Sequence, residues 1–208
     1  MLFDVVMAMK TGFPSLDVRL LTDWSSGLHQ MMDDGVLDAA ILMLQKGVTP
    51  PYEFANRYVT TLDVVAVQSN DKPLVKSRTT VKSLATKEWI LNPLGCGYRA
   101  ALERAMDESG RGLRLSVDTH RTDMQLRLVS AGLGLGLVPK DLLARSPWKD
   151  RLAVVDITDF KLSLDVWLVF PHQMGNFKRV VQYLGDSVLG SFRRHSSESP
   201  NALAEQRS

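Results

Sequence analysis

The amino-acid sequence predicts an α/β protein. Short apolar runs of strand length alternate with amphipathic stretches of helix length, and glycines stand where most of those stretches end. Such alternation predicts largely parallel sheets with helices packed on their faces. Composition agrees: 45% apolar and 23% charged residues among 208 describe a globular chain long enough to bury a substantial core.

The elements follow in order. Leu2, Phe3, Val5, Val6 and Met9 mark one side of a short helix that should stop before Gly12. Residues 16–22 (Leu-Asp-Val-Arg-Leu-Leu-Thr) alternate in polarity and predict a strand. Ser25 or Ser26 can cap a helix whose apolar face is Leu28, Met31 and Met32, with Gly35 at its end. Residues 37–44 are nearly all apolar, as in a strand covered on both faces. After Pro50-Pro51 come a strand at 62–68, a short helix at 81–85 and a strand at 89–91. A helix over 98–108, a strand over 113–117 and a helix over 123–131 continue the alternation. Strands at 135–138, 152–157 and 164–170 follow, with one helical turn after Pro139. The last long helix is expected over 176–192, and residues 196–208 read as a disordered tail rich in Ser, Glu, Pro and Gln.

Several function classes find no support. The net charge of +2 comes from 25 basic and 23 acidic residues scattered along the chain, which gives no basic stripe for wrapping nucleic acid. Cys96 is the single cysteine, so no intrachain disulfide forms, and a reducing compartment is expected. The N-terminus lacks the pattern of a secretion signal, and no apolar run approaches the length that spans a bilayer. A cytoplasmic protein is the expectation. His29, His120, His172 and His195 are far apart without partners at ligand spacing, so no metal is expected. No nucleophile elbow or phosphate-binding loop occurs, so no cofactor is expected and an enzyme is unsupported.

Three stretches carry a resemblance. Gly35-Val36-Leu37-Asp38-Ala39-Ala40-Ile41 resembles the "G-x-L-D-hydrophobic" segment of LysR-type effector-binding domains. Residues 128–139 (Leu-Val-Ser-Ala-Gly-Leu-Gly-Leu-Gly-Leu-Val-Pro) are similar to the family's "L-V-x-A-G-x-G-hydrophobic-P" signature, and Phe13-Pro14 with Leu16 and Val18 to its "Y-P-x-V". Their order and spacing agree through about residue 194. The resemblance implies a type 2 periplasmic-binding-protein fold: two Rossmann-like lobes with a ligand cleft between them. The first lobe would hold residues 1–62 and 164–195, the second 63–163, with the chain crossing near 61–65 and 160–164. The chain would start inside the first helix of such a domain, so the N-terminal winged helix-turn-helix, the linker helix and the first strand of the first lobe are expected to be absent. An unfilled strand place would leave edge N–H and C=O groups without partners.

On that reading the chain senses a small, anionic or polar effector and pairs as a homodimer or tetramer, with a helix near 26–34 packed on the partner's helix near 99–108. It would meet promoter DNA only through the absent domain, and no membrane. A transport solute-binding protein, or an enzyme on the same fold, is the competing reading.

The glycines at 132, 134 and 136 invite a nucleotide-binding interpretation. That would need strand, loop, then helix, and here a helix comes first and a strand follows. They are expected to end a helix and admit the chain to a crowded strand. Asn92 to Arg99, by contrast, follows a strand and opens a helix, where ligands gather in α/β sheets. Position leaves a binding loop and a plain capping loop open; the resemblance favours a site at Gly95, Cys96, Gly97 and Tyr98. Thr119, His120 and Thr122 stand at the end of another strand and either face the cleft or merely cap a helix. Gln45, at the end of the buried run, is the first lobe's candidate, with Ser69 and Asn70 weaker ones.

Overall fold

A computed structural model describes residues 2–197, with side chains through residue 193. Seven helices and seven strands lie among them: α1 (Leu2–Gly12), α2 (Ser25–Asp33), β1 (Ala40–Gln45), β2 (Phe54–Ser69), α3 (Val81–Leu84), β3 (Glu88–Leu91), α4 (Gly97–Glu108), β4 (Arg114–Asp118), α5 (Thr122–Ser130), β5 (Gly136–Pro139), α6 (Lys140–Arg145), β6 (Leu152–Val154), β7 (Leu162–Pro171) and α7 (Lys178–Ser197). The final helix carries the chain through residue 197, so the first two residues of the expected tail are helical. The remainder, 198–208, lies outside the described residues.

The fold is mixed α/β, but its strands are less parallel than alternation predicts. The main sheet runs β1-β7-β2-β5 with β6 also on β2, and each of those pairs is antiparallel. Among the described residues only β3 and β4 form a parallel ladder. Hydrophobic periodicity reports which face of a strand is covered and says nothing of its direction. The departure comes from β2 and β7, two long strands that run side by side from Phe54/Pro171 to Val64/Leu162.

Past that shared stretch β2 continues to Ser69 with β5 on one edge and β6 on the other, since Val67 pairs with both Gly136 and Val154. Backbone bonds from Ile90 N to Leu135 O and from Leu135 N to Glu88 O (both 2.8 Å) stitch β3 to the strand beginning at β5. A row β6, β2, β5, β3, β4 results. Period-two alternation sends Val64, Ala66, Trp89, Leu91, Leu135 and Leu137 into one core beneath α4, and Val67, Ile90 and Val138 into another beneath α5. The other half of the molecule is built around β1, β7 and the start of β2. Val166 and Leu168 pack there against α1 and α7, while Leu42 and Val169 pack against α2.

Residues 16–22 correct the sequence reading: they form no strand. A strand is defined by its ladder, and among the described residues no strand pairs with this segment. Val18, Leu20 and Leu21 are exposed instead. The strand expected over 152–157 likewise pairs only over Leu152–Val154 and ends in a single bridge from Ile157 to Thr79. In the other direction, β2 begins at Phe54 rather than 62, since polar residues on both faces, Asn56, Arg57, Thr60 and Thr61, interrupt the apolar pattern.

Candidate functional site

The turn after β3 and the turn after β4 are held together because those strands pair in parallel and end level, Leu91 beside Asp118. Thr119 N donates to Leu91 O (2.9 Å), and Asn92 Nδ2 donates to Thr119 O (3.0 Å). The loop at 92–96 then turns into α4 through Gly95, whose φ of +93° lies in the region open to glycine. Cys96 precedes the first helical residue and is buried, with Sγ 4.0 Å from Asn92 Oδ1.

Across from this loop stands the end of β1. Ser25, the first residue of α2, donates its hydroxyl to Met43 O (3.1 Å) and accepts from Met43 N (2.9 Å). One side chain thereby satisfies both outward backbone groups of a strand residue. Tyr98 reaches over from α4, its hydroxyl 3.9 Å from Met43 Sδ. Trp24, just ahead of Ser25, lies on the Gly95 backbone: a Cβ on Gly95 would come 3.2 Å from Trp24 Cδ1. The same indole stacks on the His120 ring, centroids 6.2 Å apart and planes 24° from parallel.

Electrostatically the place is quiet. Burial pushes the Cys96 thiol up from its ordinary value, and the amides of Arg99 and Tyr98 beside the sulfur draw it only part of the way back. Burial also raises the Tyr98 phenol, with the neighbouring Cys96 adding to it, so both groups stay neutral at pH 7. Arg99 is largely buried and answered twice, by Glu103 (2.7 Å) and by Asp118 (3.8 Å). Its charge is committed within the protein, so the polar hold available to a guest is backbone N–H and hydroxyl. The thiol and the phenol are held neutral by burial.

The structure brings Gly95, Cys96, Gly97, Tyr98, Thr119 and His120 to one place. Gly97 faces β1, its Cβ direction 4.0 Å from Met43 O. Thr122 opens α5, two residues beyond His120. Gln45 is exposed and accepts from Arg104 Nη1 (3.3 Å), so it ties β1 to α4 beside the Tyr98 contact. Ser69 and Asn70 are elsewhere: Ser69 Oγ donates to Ser130 O, and Asn70 Nδ2 to Asp150 O. Sequence reasoning missed Trp24 and the strand-end role of Ser25. An aromatic residue directly before a helix start was the only available signal for Trp24.

An open recess of about 410 Å³ lies away from these residues, along the crossing strands between Asp63–Ala66, Val154–Ile157 and Phe160–Ser163. Its polar walls already bond each other or their neighbours, Ser163 to Asp63 and Arg78 to Asp156. The strand-end site is the better candidate because side chains of both halves converge on it at the carboxyl ends of β1, β3 and β4. Among the described residues no group of three His, Cys, Asp or Glu is placed to hold a metal ion, and no helix is long and apolar enough to cross a membrane.

A mixed α/β chain whose two packed halves share a pair of crossing strands, and whose strand ends face each other, has the periplasmic-binding-protein-like fold of LysR regulatory domains. The profile of the LysR substrate binding domain matches residues 1–187, and the chain belongs to that family. It is similar to the RuBisCO operon transcriptional regulator of Allochromatium vinosum, 26% identical over 158 residues, which are 74% of this chain and 51% of the relative. The chain spans about half the length of the curated relatives it matches, all of them transcriptional regulators. Among solved structures it resembles the CcmR regulatory domain of Synechocystis in complex with 2-PG, with a TM-score of 0.70 at 16% identity, covering 97% of this chain and 92% of that one. Full-length OxyR of Pseudomonas aeruginosa superposes with a TM-score of 0.72 at 15% identity, over 90% of this chain and 64% of that one.

Proposed function

We propose that the chain is the effector-sensing part of a transcriptional regulator, and that a small polar or anionic metabolite binds between its halves against Gly95, Cys96, Gly97, Tyr98, Thr119, His120 and Thr122, with Gln45 at the margin. One observation carries this reading: the strand ends of both halves meet there, joined by few and weak contacts. Residues 1–62 with 164–195 form one lobe and 63–163 the other. A ligand that prefers one inter-lobe angle shifts the balance between open and closed forms by its differential affinity. The 2-PG complex of the CcmR domain is a solved instance of this fold holding a small molecule.

The curated relatives, all transcriptional regulators, favour a protein that acts without turnover. Copies associate through the α2 face of one and the α4 face of another, the two-fold arrangement commonest among homo-oligomers. DNA contact belongs to a helix-turn-helix outside these residues, and the setting is cytoplasmic.

The test is a thermal-shift panel of organic acids, amino acids and aromatic acids on the purified chain. A native-state ligand at 100 times its Kd adds about 2.7 kcal/mol of stability. A hit whose shift is lost in Thr119→Val or Tyr98→Phe supports the site; a hit unaffected by both places the ligand elsewhere.

A further inference from the structure

We infer that Trp24 is a built-in occupant of a flat slot, and that the ligand taking its place is a planar, conjugated molecule. The inference deepens the cleft reading above and rests on it. The backbone of Trp24 belongs to the first half: its N–H donates to Asp23 Oδ1 (2.7 Å), and the next residue, Ser25, is clamped to β1 by two bonds through Met43. Its indole belongs spatially to the second half, resting on Gly95 and stacked on His120.

The walls of that slot are specific in shape. One wall is the Gly95 backbone, where an added Cβ would come 3.2 Å from the indole and where a φ of +93° discourages other residues. Another is the imidazole of His120, its plane 24° from that of the indole. A space bounded by a bare peptide and a ring face accommodates a thin ring system and little else, because aromatic faces gain most from offset stacking at such separations. The contacts flanking it are soft: a hydroxyl near a thioether between Tyr98 and Met43, and a 3.3 Å bond between Arg104 and Gln45. Swinging Trp24 out exposes the slot and releases the ring contact between the halves at once. A planar acid can then stack where the indole was, with its carboxylate toward the hydroxyl of Thr119 and the amides opening α4.

The experiment uses the whole chain, with Trp24→Ala to vacate the slot and indole as the probe. Trp24→Ala is expected to melt roughly 5 °C or more below the parent, given the area lost from a chain this size. Indole should bind Trp24→Ala at least ~10-fold more tightly than the parent, as a shaped apolar cavity takes up the group removed from it. Equal affinity of the two proteins for indole would overturn the slot. Should Trp24→Ala fail to fold, His120→Ala removes one wall at an exposed position. Its tryptophan emission, compared with that of Trp24→Phe, should then show Trp24 shifted to longer wavelength; an unmoved spectrum also overturns it.

The ligand class is tested on the parent by titrating benzoate against succinate while following the Trp24 part of the emission. Benzoate moving that emission and succinate leaving it supports a planar ligand; the reverse overturns it. Indole rescue together with a metabolite panel that never binds the parent would retire the sensing reading and keep the slot. Aliphatic hits that leave Trp24 emission unmoved would keep sensing and retire the slot.

Discussion

The two halves of the molecule solve the same packing problem to different degrees. In the second, five strands lie in one row from β6 to β4, and one of the inner ones, β3, buries Trp89, Ile90 and Leu91 almost completely. In the first, three strands lie side by side, and the described residues place no strand on the outer edge of β1. Residues 16–22, which have the composition to extend that sheet, run instead without a ladder and expose Leu20 and Leu21. The comparison teaches that strand propensity needs a neighbour before it becomes a strand. Where the neighbour is absent, a serine hydroxyl substitutes for it at one residue, Met43.

The sharpest way to break the comparison is to cut each half where it is strongest and weakest. Trp89→Ala should cost about 3–5 kcal/mol, as for buried aromatic truncations, read from denaturant midpoints. Leu20→Ser, on the ladderless segment, should stay within about 0.5 kcal/mol and lower any concentration-dependent association. Comparable losses at both positions would show the halves to be equally knit.

Asp165 of β7 should come next in size. It accepts from Thr61 Oγ1 (2.6 Å) and from Gly47 N (3.0 Å), and the Thr61 bond first, then Gly47, holds its carboxyl below the ordinary value against the cost of burial. A lowered folded-state pKa stabilises above the ordinary carboxylate range near 3.9, and that contribution is lost as pH falls through the depressed value. Asp165→Ala is therefore expected to cost about 1.5–3 kcal/mol at pH 7 and less below pH 3, followed by urea titration at both.

Ser25→Ala tests the substitute partner directly. Losing the hydroxyl leaves Met43 N–H and C=O to water, at a cost of about 1–2 kcal/mol, and hydrogen exchange at the Met43 amide should accelerate toward that of its outward neighbours on β1. The smallest effect concerns Cys96, where no change in stability is needed. Native protein at pH 7.5 should resist alkylation, and unfolded protein should react at once, because the buried thiol stays protonated.

Local features were the legible ones. The helix end at Gly132, with φ +84° and Leu133 N returning to Leu128 O (3.3 Å), is written in the glycine itself. The loop at 92–96 was legible because a strand, two turn residues and a helix start follow in sequence, and the family resemblance supplied the rest. Strand direction was not, since β2 and β7 alternate identically whichever way they run. Trp24 was hidden for a related reason: its partners Gly95 and His120 are far along the chain, and no periodicity marks a contact between distant loops. Gln45 was found as a strand-end polar group, but its bond to Arg104 depends on how α4 lies against β1.

Gly134 has a consequence for how such a chain varies over generations. A methyl there would sit 2.8 Å from the Glu88 carbonyl oxygen, and that oxygen belongs to a backbone already bonded to Leu135. No rotamer can make room, so any other residue at 134 has to be answered by displacing β3 as a whole. Leu133, one position earlier and half exposed, is free to drift. Two adjacent codons thus evolve under opposite licence, one pinned by a carbonyl and the other governed only by the solvent.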